Sequence, residues 1–299
     1  MFLGAVIYAD DIFLLSATRN GLQALVDICH DFVCTRNLKF GTHSNPDRSK
    51  TKCIVFNKKI YQNVQPTNIV LGGDRLPWVQ QVKHLGHVLQ NDNSMRLDIA
   101  QKRGIFIGKM NSLLQEFHFV APDVMMKLMN IYATTLYGSN TWDIFSKDCE
   151  KLYTSFNVAI RQILRIDRCT HKYLLESLSG CHHLKTLIAS RFVTFHKTLL
   201  SCDKKPVRFL ARLNECDLRS VLGRTLNSLM TIVGIDSGNP NDLTADVVKK
   251  RMRYSLVPEI EVWRVSLGHE ILSARVGCLL VDGFSYEELD EILSYACTS

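Results

Sequence analysis

Residues 4–17, GAVIYADDIFLLSA, are two short apolar arms around Ala9, Asp10 and Asp11. Val, Ile, Tyr, Phe and Leu favour strands, and an acidic break between two such arms predicts a tight antiparallel hairpin. Such a hairpin leaves a sheet edge and an apolar face that something must cover. From Asn20 the period changes. Leu22, Leu25, Val26, Cys29, Phe32 and Val33 recur at three- and four-residue steps, one face of a helix, with Thr18 or Asn20 as its cap. Residues 41–48 (GTHSNPDR) are turn chemistry, residues 51–57 (TKCIVFN) read as a strand, and residues 68–90 read as two short strands, NIVLGG and VKHLGHVL, joined through 74–78. Strand, strand, helix, strand and a small hairpin make an α+β pattern.

After about Met95 the chain reads as helical. Residues 95–119 form one helix, interrupted near Gly104 and Gly108. Ala121-Pro122-Asp123 opens a second with proline at its start, and residues 147–166 form a third. Further helices fill 171–232, residues 236–244 (DSGNPNDLT) are a linker, and 245–299 are a small, acidic, mostly helical tail. The expected divisions are therefore 1–94, an antiparallel sheet with one helix, then 95–170, 171–235 and 245–299, all helical.

The formal charge of +7 is uneven. Residues 1–95 carry +3, residues 96–224 carry +9 and residues 225–299 carry −5. A basic middle points to a polyanionic partner, because such charge attracts phosphate and releases its counterions. No run approaches the roughly 18–20 apolar residues of a membrane span, so no membrane partner is expected. Ten cysteines without a regular framework suit a reducing compartment and an intracellular protein, nuclear or cytoplasmic. The grouping Cys169, His171, Cys181, His182, His183 matches none of the usual zinc spacings, so ordinary surface and core roles are expected.

Two adjacent carboxylates at a hairpin tip call for a cation or strong donors between them. Hard oxygen ligands of this kind suit Mg²⁺, and phosphoryl transfer uses two such ions about 3.5–4 Å apart. An isolated Asp-Asp pair is weak evidence, since solvated turns carry it often. Tyr8-Ala9-Asp10-Asp11 with apolar strands on both sides is far more specific.

The succession of segments resembles non-LTR (LINE-type, Jockey-like) retrotransposon reverse transcriptases. AVIYADDIFLLS is similar to their catalytic hairpin, NGLQALVDICHDF to the palm helix after it, SNPDRSKTKCIVF to the next palm motif, LPWVQQVKHLGHVL to the primer-grip hairpin, and KLMNIYATTLYGSNTWDIF to a thumb helix. The resemblance spans roughly residues 4–170 and thins through 170–235. It implies a partial palm, a helical thumb, RNA-directed DNA polymerase ancestry, Mg²⁺ as cofactor, and an RNA template with a DNA primer as partners. Asp10 would be the main metal ligand, with Asp11 adjacent, and Tyr8 would lie beside the nucleotide and primer end. Lys50 or Lys52 would approach the triphosphate, with a solvated strand-edge lysine as the equal alternative. Leu85 and Gly86 would form the primer-grip turn, with Lys83 and His84 on primer phosphates. Lys102, Arg103, Lys109 and Lys127 would face the duplex, joined by Arg161, Arg165 and Arg168 on one helix face. Trp78 reads as a packing anchor, and Phe106, Phe117, Phe119, Tyr132, Tyr137 and Trp142 read as core.

The family's palm carries a third carboxylate on a strand before this hairpin. Only nine residues precede Asp10 here and none is acidic. The expectation is a reverse-transcriptase fragment that does not polymerise alone and whose missing polymerase half would be a partner. A non-catalytic RNA- or DNA-binding module using the basic helices is the alternative, and an interaction protein pairing through exposed palm surface is a third. The first ~95 residues are expected to be less stable than the helical region.

Overall fold

The structure, a computed structural model, describes residues 4–43, 45–56, 68–235 and 242–254. Asn57, most of the 236–244 linker and the tail beyond 254 fall outside the described residues. The chain divides into two compact units, Met1–Gln101 with Lys204–Pro206, and Lys102–Asp203 with Val207–Ser299. The general class is α+β: helices dominate, and small antiparallel sheets occupy the first unit.

In the first unit β1 (Ala5–Tyr8) pairs antiparallel with β2 (Asp11–Leu14), Tyr8 opposite Asp11. Helix α1 (Arg19–Cys34) follows, and Thr18 Oγ1 accepts the Gly21 N–H at 3.1 Å as its N-cap. The stretch read as two strands over 68–90 is instead two hairpins. β3 (Val70–Leu71) and β4 (Asp74–Arg75) turn on Gly72-Gly73, and β5 (Gln81–His84) and β6 (His87–Gln90) turn on Leu85-Gly86. Both turns are built from positive-φ residues, so each apolar run folds back on itself before it reaches the next.

The strand expected at 51–57 is reduced to one parallel bridge between Cys53 and Trp78. The Cys53 N–H donates to Pro77 O at 2.9 Å, and the Val79 N–H to Cys53 O at 2.8 Å. Among the described residues the expected antiparallel palm sheet is therefore three separate two-stranded sheets. Their common core is small: Val26, Cys53, Ile69, Leu71 and Leu76, with Leu14, Leu22, Phe40 and Trp78 packed against it. Of the apolar face read on α1, Val26 is buried while Phe32 stays exposed under the Arg36 guanidinium, 3.7 Å from the ring centroid.

Helix α2 (Arg96–Glu116) is continuous, and the interruption expected at Gly104 and Gly108 does not form. Both glycines face open space, so no packing conflict opposes the helix there. Its start is held by two buried polar side chains. Gln90 Oε1 accepts the Leu97 N–H at 2.9 Å, and Asp98 Oδ1 accepts the Val88 N–H at 3.0 Å. The second unit continues with α3 (Pro122–Leu128), with Pro122 at its first turn. A π-helical turn (Met129–Ala133) follows, then α4 (Lys147–Ile163), α5 (Leu174–Ser179), α6 (Leu184–Ser201), α7 (Lys205–Cys216), α8 (Val221–Val233) and α9 (Ala245–Tyr254). Its core gathers Phe106, Trp142, Leu152, Phe156, Ile160, Ile188 and Phe192, all essentially inaccessible. Among the described residues no helix is long and apolar enough to cross a membrane.

Helix α8 begins at a steric limit. Ser220 Oγ accepts the Gly223 N–H at 2.9 Å, and a Cβ on Gly223 would run into the carbonyl oxygens of Asn214 and Asp217. Alanine favours helices over glycine by about 1 kcal/mol, but backbone oxygens do not yield as a flexible side chain does. Gly223→Ala is therefore expected to lower the second unit's stability by about 2 kcal/mol in urea unfolding. An unchanged or raised midpoint would show that this turn has room to spare.

Candidate functional site

The tip of the first hairpin is a two-residue turn. Ala9 takes a φ of 51° and Asp10 does not share that positive φ, the φ pattern of a type II′ turn, whose twist matches that of paired strands. Asp10 and Asp11 are both exposed, and Tyr8 is 68% exposed. Strand residues two apart share a face, and cross-strand partners do too. Asp11, Tyr8, Phe13 and Val6 thus lie on one face, while Leu14 on the other joins the core.

That face meets the second candidate element. The Phe13 ring stacks on His84 of β5, centroids 5.2 Å apart and planes 30° from parallel. Residues 71 positions apart are in this way brought into contact, and the carboxylate sharing the contact face is Asp11, with Asp10 in the turn itself. Leu85 and Gly86 both have positive φ, 45° and 78°, and form the tight turn expected of them.

Lys83 and Lys52 line a single cleft of about 430 Å³, together with Pro46, Asp47 and residues 79–82. Lys50 is not part of it, because its aliphatic stem lies over Gly41, where an added Cβ would meet it at 3.3 Å. Of the two lysines weighed for an anion, Lys52 is the one placed beside Lys83.

Two carboxylates at one turn are a beginning of a divalent-ion site. Among the described residues, however, no group of three or more His, Cys, Asp or Glu converges to hold a metal. Asp10 and Asp11 therefore do not fit a two-ion site by themselves, and no step is assigned to one.

In the helical unit the basic candidates are already engaged. The Lys102 Nζ sits 5.6 Å from the Tyr137 ring centroid, and Arg103 Nε donates to Ser155 Oγ at 2.8 Å. Lys109 Nζ donates to Tyr132 O at 2.7 Å, and Lys127 pairs loosely with Asp123 at 3.9 Å. The common face expected for Arg161, Arg165 and Arg168 does not exist. Helix α4 ends at Ile163, and Arg165 takes a φ of 52° while the Ile166 N–H bonds back to Arg161 O at 3.1 Å, a Schellman-type close. The Arg161 guanidinium turns inward and donates from Nε and Nη2 to Thr170 O, at 3.0 and 2.7 Å, and burial lowers its pKa. Arg165 Nη2 reaches His118 O at 3.3 Å.

The aromatics divide. Phe106 and Trp142 are core as read, whereas Phe119, Tyr132 and Tyr137 are exposed and Phe117 partly so. Of the Cys/His grouping, Cys181 Sγ accepts from Asn130 Nδ2 at 3.0 Å, His182 Nδ1 lies 2.9 Å from Glu176 Oε1, and His183 caps α6. Gln90 and Asp98 escaped the sequence reading, and His183 was weighed there as a zinc ligand and not as a helix cap; a polar residue at the edge of an apolar run just before a helix was the available signal. Comparisons of the chain with protein-family models, with curated proteins and with solved structures each found no match.

Proposed function

We propose that residues 4–90 are the catalytic-hairpin and primer-grip portion of a reverse-transcriptase palm of the non-LTR type. The basic helices after them act as a thumb-like grip on an RNA–DNA duplex. The observation that carries this reading is the stacking of Phe13 on His84. A polymerase palm needs its acidic hairpin and its primer-holding hairpin side by side, and nothing in a random α+β arrangement requires the strand after Tyr8-Ala9-Asp10 to touch the strand before Leu85-Gly86. The cleft between Lys52 and Lys83 adds two cations on the primer-holding side.

With two carboxylates and no third donor among the described residues, nucleotidyl transfer is assigned only to an assembly in which another segment supplies that ligand. The chain's own task is to hold the duplex. Tyr8 and the Leu85-Gly86 turn present a surface that a primer end can approach closely, because glycine lets a backbone come near. The same deficit favours a second reading, a binding module without chemistry.

Fluorescence anisotropy with a labelled RNA–DNA hybrid tests the grip. Affinity is expected to fall with salt at a log–log slope of about −3, the signature of at least three phosphate contacts. Absence of binding at low ionic strength rules it out. Complementation separates the two readings: the chain is mixed with a fingers-and-upper-palm polypeptide carrying the third carboxylate, and Mg²⁺-dependent primer extension is measured. Extension that disappears in Asp10→Asn and Asp11→Asn supports the palm. A stable folded complex that grips duplex yet never extends it leaves only the binding module.

A further inference from the structure

Residues 129–138 concentrate the irregular backbone of the helical unit. Met129–Ala133 is a π-helical turn, Leu136 has a φ of 34° and Gly138 one of 82°. A π turn adds a residue and re-aims the side chains after it, and is found disproportionately at functional sites. A bulky residue at positive φ persists only where its surroundings over-determine it. What this backbone turns outward is aromatic: Tyr132 is 56% and Tyr137 63% exposed, while Met129, Ala133 and Leu136 beside them are buried.

Three cations touch this segment, one at the Tyr137 ring and two at its backbone. Lys102 and Lys109 stand two turns apart on α2, hence on one face. Lys102 Nζ lies 5.6 Å from the Tyr137 ring, and Lys109 Nζ bonds Tyr132 O and Thr135 Oγ1 at 2.7 and 3.3 Å. From α6, Arg191 Nη1 donates to Thr134 O and Thr135 O at 2.7 and 3.3 Å. Among the described residues no carboxylate forms an ion pair with Lys109 or Arg191, so neither charge is neutralised where it stands. These bonds also pin the segment, so that the two rings are presented by a held scaffold.

We propose that Tyr132 and Tyr137 are a stacking surface for the unpaired bases of single-stranded nucleic acid, with Lys102, Lys109 and Arg191 along its phosphates. Exposed aromatics interleaved with cations are the chemistry of sequence-tolerant single-strand binding, because every base has a π-face. Paired bases inside a duplex offer no such face, so the ligand is distinct from the hybrid of the preceding section. An acidic protein segment would neutralise the cations but leave both phenol rings without a flat partner. The inference rests on the preceding reading for its class of ligand, a polynucleotide, and on aromatic residues that reading does not use.

The test uses the full chain, a labelled single-stranded 20-mer, a labelled RNA–DNA hybrid, and polyglutamate as competitor. Tyr132→Ala and Tyr137→Ala are each expected to weaken single-strand binding about tenfold. The salt slope and the hybrid affinity should stay unchanged, and the Phe variants should remain within about twofold of the parent. Lys109→Ala should instead lower the salt slope by about one. Both tyrosines are exposed, so circular dichroism should show the Ala variants folded. Tyr137→Trp gives a second readout, indole quenching on addition of the single strand. Hybrid binding intact with single-strand binding indifferent to both Ala substitutions and no quench overturns this inference and leaves the duplex grip standing. No binding of either nucleic acid removes both. Displacement by polyglutamate as effective as by unlabelled oligonucleotide would assign the surface to acidic protein and overturn the inference as well.

Discussion

Phe156→Ala is expected to destabilise the helical unit by about 3–5 kcal/mol, the largest loss of any single change considered for this chain. Phe156 is fully buried on the apolar face that α4 builds from Leu152, Phe156, Ala159, Ile160 and Ile163. Its ring centroid lies 6.2 Å from Phe106 of α2 and 6.2 Å from the edge-on ring of His183. Neighbours contributed by α2 and by the cap of α6 cannot both relax into the space a phenyl leaves, so the cavity stays open and its cost adds to the lost transfer energy. Urea unfolding followed by far-UV circular dichroism measures the shift, and amide hydrogen exchange localises it. Amides of α4 and α6 should exchange much faster in the variant, while those of α1 and the β5–β6 hairpin keep their parent rates. The parent itself should already show faster exchange in the hairpin unit, whose core rests on Val26, Cys53, Ile69, Leu71 and Leu76. A loss below about 1 kcal/mol would mean that α4 does not pack as described.

The sequence was most readable where one local rule decided the outcome. β-favouring arms around an acidic break gave the first hairpin, Pro122 marked a helix start, and the period of Leu152, Phe156, Ile160 and Ile163 marked the buried side of α4. It misled where tertiary partners decided. Residues 51–56 have strand composition, but among the described residues the bridge of Cys53 to Trp78 is all the ladder they obtain. The Gly72-Gly73 pair at the end of the apolar run 69–71 is itself a hairpin signal, and giving it more weight would have split 68–90 correctly. Arg165 sits at a left-handed position that usually carries glycine, so the end of α4 is invisible to a rule that looks for glycine, and the three-arginine face was extrapolated past it. Tyr132 and Tyr137 were read as core from their residue type, whereas the structure exposes them and buries Met129, Ala133 and Leu136 beside them. As for the candidate site, the acidic break at Asp10 was legible as turn chemistry, and the Leu85-Gly86 turn was expected from the family resemblance. The contact of Phe13 with His84, which relates the two turns, joins residues too distant in sequence for any periodicity to report.

Acid should weaken the helical unit well above the carboxylate range, and the residue responsible is His183. Its Nδ1 accepts the Lys185 N–H at 3.2 Å as the N-cap of α6, a role that only the neutral ring with an unprotonated Nδ1 can fill. Burial beside Tyr153 and Phe156, and then the charges of Lys185 and Lys172, hold its pKa down from 6.5 to about 4. A histidine depressed in the folded state takes up its proton more readily when unfolded. Between about pH 6.5 and 4 the unfolded chain therefore binds more protons, and stability falls as the pH falls through that window. Below the folded pKa both states are protonated and the loss levels off. From pH 7 to pH 4.5 the expected cost is about 2 kcal/mol, read from urea midpoints at constant ionic strength. His196, also lowered by burial, adds to the same window, so the comparison that isolates His183 is His183→Asn, which keeps a capping acceptor and removes the titration. The variant should lose most of the slope between pH 6.5 and 4.5 even if packing against Tyr153 costs it some stability at pH 7. An unchanged slope would place the proton elsewhere. The two predictions also interlock, because a cavity at Phe156 would let water reach the imidazole and raise its pKa. Phe156→Ala should consequently flatten the acid dependence as well as lower the midpoint, a coupling that two independent sites would not show.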